Sequence, residues 1–147
     1  DILALQRHGR SRIYDLEYRK PTPVVTRAAS FEVRERILAD GTIETPLDVG
    51  DASQRLVPAL KAGGYEVAAI CLINAFVNPA HERALRDILA MALPDLHVTI
   101  SSDITREFRE FERASTTTLS AYVQPVMDRY IQRFPHMLFT ICAEYLL

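Results

Sequence analysis

The sequence has no tryptophan, two cysteines, two lysines and five glycines in 147 residues. Cys71 and Cys142 are too few for a disulfide framework or a four-thiolate zinc centre. Both sit in apolar runs, which predicts buried free thiols, a reducing compartment and a cytoplasmic location. No apolar stretch reaches the roughly 18 residues of a membrane span. Neither sign of charge dominates: 17 Lys and Arg stand against 19 Asp and Glu, a formal net charge of −2. No basic field points to nucleic acid and no polybasic run to an anionic membrane. The glycines do not form a phosphate loop. Gly63-Gly64 precedes a strand-like run rather than a helix start, so it reads as a helix stop. There is no initial Met and no signal-peptide pattern, so the start reads as a processed, trimmed or partial chain.

What is present is a globular pattern. Apolar residues make up 48% and charged residues 24% of the 16.6 kDa chain. This suits one domain, or one domain with an appendage, and excludes disorder and low complexity. Fifteen Arg against two Lys reads as the base composition of the gene. Residues 1–23 show little periodicity and hold a basic cluster, Arg7, His8, Arg10 and Arg12, which reads as a solvated loop or an anion contact. From Val24 the pattern is strand-like, with Ala29, Phe31 and Val33 alternating with polar residues. Asp40-Gly41 signals a hairpin turn and Thr42–Thr45 a return strand.

Asp48 then caps a helix whose apolar face carries Val49, Ala52, Leu56, Ala59 and Leu60. The run Val67–Ile73 suits a strand buried on both faces, as in parallel sheets. Asn78-Pro79 opens a second helix, with Asn78 as N-cap and Glu82 near the positive end of its dipole. His97–Ser101 reads as another strand. Beyond it Leu119, Tyr122, Val123, Val126, Tyr130, Ile131 and Phe134 form one helical face, interrupted by Pro125, which predicts a kink or two helices. The order is hairpin, helix, strand, helix, strand, helix. It predicts an α/β domain with a right-handed parallel crossover.

Few residues announce chemistry. His81 and Glu82 lack a ligand partner one turn on, since Leu85 and Arg86 stand there, so hydrogen bonding is expected of them rather than metal binding. The run Arg106–Arg113 alternates in sign around Phe108 and Phe111. On a helix Arg106 faces Glu110 and Arg109 faces Glu112 and Arg113, which predicts ion pairs with both rings turned inward. Ser115–Thr118 supply hydroxyls without an adjacent base.

Five segments in order resemble the hydantoinase A and 5-oxoprolinase family in its N-terminal region, over residues 1–134. They are Ile2–Leu16, ending Ile13-Tyr14-Asp15-Leu16; Asp40-Gly41 with Thr45-Pro46-Leu47-Asp48; Asn78-Pro79-Ala80-His81-Glu82; Ser101-Ser102 with Glu107–Arg113, Ser115-Thr116-Thr117 and Ala121-Tyr122; and Gln124-Pro125-Val126-Met127. Gln6 and Ser11 stand where the family usually has Gly and Pro, and Asn74 and Ser120 where it commonly has His and Asn. Residues 135–147 form a divergent apolar tail.

The resemblance implies part of a ribonuclease H-like domain of the actin and sugar-kinase type. It implies ATP-dependent opening of a cyclic amide such as 5-oxoproline or a hydantoin, while some relatives carboxylate ketones. It implies phosphorylation of the amide oxygen, with a divalent metal and glycine-rich loops that in the family lie before Asp1 and after Leu147. On that basis this chain is expected to bind neither ATP nor metal alone. Its partners would be the remainder of the parent enzyme or a companion subunit, or a second copy of itself. The resemblance places the run Glu107–Thr117 at the substrate cleft. Arg109 and Arg113 would hold a carboxylate or phosphate oxygen, Glu110 and Glu112 would orient them, and Thr116 would join the substrate contacts. Two other readings stand beside it: a non-catalytic α/β binding or assembly module, whose apolar tail docks on a partner, and an unproductive truncated gene product.

Overall fold

The structure is a computed structural model. It describes residues 2–5, 14–19 and 22–145, with side chains left out at 4, 5 and 133–145. The basic cluster Arg7–Arg12 and the side chains of the apolar tail, Cys142 among them, lie outside the described residues.

The chain is mixed α/β, with two small sheets. A short helix α1 (Ile2–Leu5) and a 3-10 turn (Arg27–Ala29) precede the hairpin of β1 (Arg36–Ile37) and β2 (Ile43–Thr45). The hairpin is antiparallel, pairing Arg36 with Thr45 and Ile37 with Ile43. Its turn forms at Asp40-Gly41 as expected. Gly41 takes φ 88°, and the Asp40 carboxylate accepts from the Thr42 amide at 2.9 Å. That contact with Thr42 holds the Asp40 carboxyl below its ordinary value. A side chain at Gly41 would lie 3.1 Å from Val77, so glycine here serves both the turn and a close approach.

The alternating stretch before the hairpin is not a strand. Phe31–Glu35 run without a ladder, because the neighbour they lie against is helical. Arg34 O accepts from Asp48 N at 3.0 Å and Glu32 O from Arg55 at 2.7 Å. The alternation instead reports burial: Phe31 and Val33 pack on the core, and Phe31 meets Tyr65 edge to face at 5.8 Å.

Helical residues 49–63 follow as α2 (Val49–Asp51), a π-helical turn (Ala52–Leu56) and α3 (Val57–Gly63). Asp48 caps them by accepting from Asp51 N at 2.9 Å. Gly64 stops them in the left-handed conformation, φ 63°. Ala52, Leu56 and Leu60 face inward, as their spacing predicts, and Ala59 is half-buried, whereas Val49 on the first turn is exposed. Next come β3 (Val67–Ile70), α4 (Ala80–Ala92), β4 (His97–Ile100) and α5 (Ser101–Ile104). β3 and β4 pair in parallel, Val67 with His97 through Ile70 with Ile100. Strand β3 stops three residues earlier than the apolar run, and Ala69 within it is exposed, so the strand is not buried on both sides. Helix α4 begins one residue later than expected. Pro79 is its N-cap position, and the Asn78 side chain still accepts from Ala80 N at 3.1 Å.

Ile70 and Ile100 meet Leu56, Leu60, Leu85, Leu89 and Leu96 in one core. Full burial of each such side chain is worth about 1.5–3 kcal/mol. The other face of the sheet carries α6 (Glu110–Tyr145), which runs through Pro125 without a break in the helix and crosses residue 134 likewise. It packs through small residues. Ala114, Thr117, Thr118 and Ala121 are buried, whereas Leu119, Tyr122, Val123, Val126, Tyr130 and Ile131 are exposed. The face expected to seek the core is therefore the outer one. Small side chains let the helix axis approach the sheet, and the large ones are left outside.

Candidate functional site

Glu82 sits in the first turn of α4 with its side chain wholly buried. One carboxylate oxygen accepts from Leu72 N at 2.9 Å and from the Ser101 hydroxyl at 2.6 Å. The other accepts from Ser102 N at 2.9 Å. Leu72 follows β3, and Ser101-Ser102 open α5 directly after β4. One carboxylate thus ties together the carboxyl ends of both parallel strands, the end at which open α/β sheets hold ligands. With three donors on it, the carboxylate is a fixed acceptor and an anchor rather than a base.

Arg113 reaches the same place from α6 and is also wholly buried. Its guanidinium donates to Leu72 O at 2.7 Å and Glu107 O at 3.0 Å, and lies 5.5 Å from the centre of the Phe76 ring. Thr117 closes the turn below by donating to Arg113 O at 2.7 Å. The Cys71 thiol lies among these groups. Burial pushes its pKa up, while the adjacent Arg113 guanidinium and Ser101 hydroxyl pull it down. The net rise makes Cys71 a packed thiol rather than a nucleophile. Within the cluster Ser102 Oγ and Arg113 Nε are buried without a hydrogen-bond partner among the described residues.

Arg113 also fixes what stands above it. By taking Glu107 O it holds residues 105–109 out of the helix, which starts only at Glu110. The expected helical pairing of Arg106 with Glu110 therefore does not form, and Phe108 is 66% exposed instead of tucked inward. Arg106, Glu107, Phe108 and Arg109 all face solvent on a short loop with a buried base. Arg109 lies 5.6 Å over the Phe108 ring. Glu110 and Glu112 are half-buried in the first turn of α6, where the helix dipole favours acids. Thr116 is exposed on the outer side of the helix. Of the five residues singled out in the sequence, the structure thus puts Arg113 in the buried cluster, Arg109 on the loop it supports, and the other three along the first two turns of α6.

A second constellation joins the hairpin to this end of the sheet. Asn74, at φ 57°, donates to Ile37 O at 2.9 Å, and Asn78 donates to Gly41 O at 2.9 Å. His81 Nδ1 lies 2.8 Å from a Glu35 carboxylate oxygen, both side chains being almost fully buried. His81 thus has the hydrogen-bonding role its sequence context predicts. Glu35 gives no signal in the sequence, and the anchoring role of Glu82 is visible there only as a favourable helix-end charge. Among the described residues no group of three His, Cys, Asp or Glu side chains is placed to hold a metal ion. No described helix is long and apolar enough to cross a membrane.

Comparison with known proteins gives a consistent set of relatives. Residues 1–93 match the family described as the hydantoinase/oxoprolinase N-terminal region. An uncharacterized protein of Methanocaldococcus jannaschii is 36% identical over 91% of this chain and 20% of its own length. Caprolactamase subunit alpha of Pseudomonas jessenii is 32% identical over 82% of this chain and 17% of its own. The crystal structure of that ATP-dependent caprolactamase superposes with a TM-score of 0.79 and 29% identity, covering 92% of this chain and 19% of the other. The acetophenone carboxylase gamma subunit of Aromatoleum aromaticum is 32% identical over 76% of this chain and 16% of its own length. The chain therefore spans about a fifth or less of these relatives.

Proposed function

The chain belongs to the hydantoinase/oxoprolinase family, in its N-terminal region, and from that premise we propose that it serves an ATP-dependent enzyme opening a cyclic amide. The observation that carries this reading is the likeness to the caprolactamase over nearly the whole chain, at an identity high enough to speak for more than fold. The domain to which it contributes is read as ribonuclease H-like, with β3 and β4 as two strands of a larger sheet. The relatives named as alpha and gamma subunits support a companion subunit as partner.

In such an enzyme ATP supplies the activating phosphoryl group. Nothing among the described residues fits that nucleotide or its metal. The described glycines serve turns and helix ends, and no acidic or imidazole cluster gathers among the described residues. No step is therefore assigned to them here. The role of this chain is to present the loop 105–109. Arg106 and Arg109 are its exposed cations, and Arg109 is the one suited to an oxygen of the substrate or of a transferring phosphoryl group. Arg113 is the positioning residue beneath it, and Glu110 and Glu112 bias the local field that orients the two arginines. Thr116 lies at the margin of the same helix.

A chimera tests this. The chain replaces its matching segment in the Pseudomonas jessenii caprolactamase alpha subunit. ATP-dependent ring opening is expected with caprolactam, 5-oxoproline or a hydantoin. Arg109→Ala in the chimera is expected to lower kcat/KM by about 10- to 100-fold, with the assembled enzyme as stable as before to within about 1 kcal/mol. A folded, assembled chimera that opens none of these rings overturns the reading.

A further inference from the structure

His81 uses one ring nitrogen and leaves the other unspent. It lies in the first turn of α4, which follows the carboxyl end of β3, where open α/β sheets hold ligands. Its Nδ1 is 2.8 Å from Glu35 Oε2, with 7% and 6% of the two side chains exposed. An ionised carboxylate only accepts, so the hydrogen between them belongs to Nδ1. In the neutral ring Nε2 is then bare and is itself an acceptor. Among the described residues the ring makes only the Glu35 hydrogen bond, and Nε2 is not one of the fully enclosed polar atoms left without a partner. Residues 34–92, which carry the pair and the loop beside it, are all described.

The pair is not needed to attach the hairpin. Asn74 and Asn78 already donate to Ile37 O and Gly41 O at 2.9 Å, and the Ile37 side chain is fully buried. Enclosing an imidazole and a carboxylate costs desolvation that an apolar pair of similar volume avoids. What the pair adds is a ring held in one tautomer and one orientation. A carboxylate behind an imidazole does the same in hydrolytic and metal sites. A metal ion does not suit Nε2, because no group of three ligand side chains gathers among the described residues. The complement of a lone, oriented nitrogen acceptor is an N–H group.

We propose that His81 Nε2 accepts a hydrogen bond from the ring N–H of the cyclic amide, with Glu35 as the positioning residue behind it. This rests on the function proposed above and deepens it, since it restricts the substrates to rings with a hydrogen on nitrogen. An N-alkylated ring loses the bond and leaves the acceptor unpaired.

Two measurements test this. In the 147-residue chain, NMR of the nitrogen-15-labelled His81 ring is expected to show hydrogen on Nδ1 and a bare Nε2, a preference weakened in Glu35→Gln. In the assembled chimera, caprolactam and 5-oxoproline are each compared with their N-methyl forms by equilibrium binding. At least one N–H ring is expected to bind about tenfold or more tightly than its methylated form. In His81→Asn the amide nitrogen can stand where Nδ1 stood, so Glu35 keeps a donor while the Nε2 acceptor is lost. That variant is expected to bring the two forms within about twofold. A purely structural role would weaken both forms alike and keep their ratio. The proposal is overturned by a hydrogen on Nε2, by an unchanged ratio in His81→Asn, or by no saturable binding of either N–H ring to the folded chimera. A chimera that opens caprolactam with that ratio unchanged overturns the proposal and supports the proposed function. One that shows the expected ratios but opens no ring does the reverse.

Discussion

At position 82 a carboxylate is fully enclosed, yet each group that touches it donates a hydrogen bond. This decides what a substitution there does. In Glu82→Gln the carbonyl oxygen can keep Leu72 N and the Ser101 hydroxyl, but the amide nitrogen then faces Ser102 N, donor against donor. Leaving one buried amide unpaired costs about 1–3 kcal/mol. Glu82→Ala orphans all three donors and opens a void, for a loss of about 3–5 kcal/mol. Urea unfolding of the two variants measures both, and a Gln variant within about 0.5 kcal/mol of the parent would show that Glu82 does not hold the strand ends. The sequence shows Glu82 as a helix-end charge because that effect is local. Its partners lie ten, nineteen and twenty residues away and come together only when β3 and β4 pair. The same distance hides Glu35, which is 46 residues from His81. Arg113 and Arg109 carry the same charge four residues apart, and only the fold separates the buried anchor from the exposed cation.

Among the elements, α6 separates what periodicity reveals from what it does not. A 3.6-residue repeat of Leu119, Tyr122, Val123 and Val126 predicts an amphipathic helix, and a helix is found. The repeat does not say which face meets this chain's own sheet. The sheet takes Ala114, Thr117, Thr118 and Ala121, with Thr99 donating to Gln124 at 2.6 Å to fix the crossing. Two substitutions discriminate the faces. Ala121→Leu overfills the helix–sheet contact and is expected to cost about 1–3 kcal/mol. Val126→Asp, on the outer face, is expected to change stability by no more than about 0.5 kcal/mol in urea unfolding. The reverse ranking would mean that the large residues are the packed face. Elsewhere local signals sufficed. Asp40-Gly41, Asp48, Gly64 and Asn78 mark the ends of elements because caps and turns are decided within four residues. The stretch Phe31–Glu35 misled because alternate burial against a helix has the same period as a strand.

For the whole molecule, the order of elements was legible and the completeness of the sheet was not. The chain brings two parallel strands, a buried Glu82–Arg113 support and an exposed cationic loop, but among the described residues no glycine loop at a strand-to-helix turn. Phosphate binding by a fold of this kind draws on main-chain amides at such a turn, with a cation to offset the charge. Gly63-Gly64 is the nearest candidate by composition, and it fails by geometry, since Gly64 ends a helix and β3 follows. The exposed loop cations Arg106 and Arg109, with Glu107 between them and Phe108 beneath Arg109, do not replace such amides. Calorimetric titration of ATP with magnesium into the 147-residue chain is therefore expected to give no saturable heat and no rise in Tm. A ligand that bound only the folded chain at a hundred times its Kd would add about 2.7 kcal/mol of stability, so the thermal measurement detects even a weak site. Saturable binding would place a phosphate site within these residues. Arg106→Ala combined with Arg109→Ala would then separate the loop from the basic cluster Arg7–Arg12 as its source, because loss of binding in that double variant assigns the site to the loop and retention assigns it to the cluster.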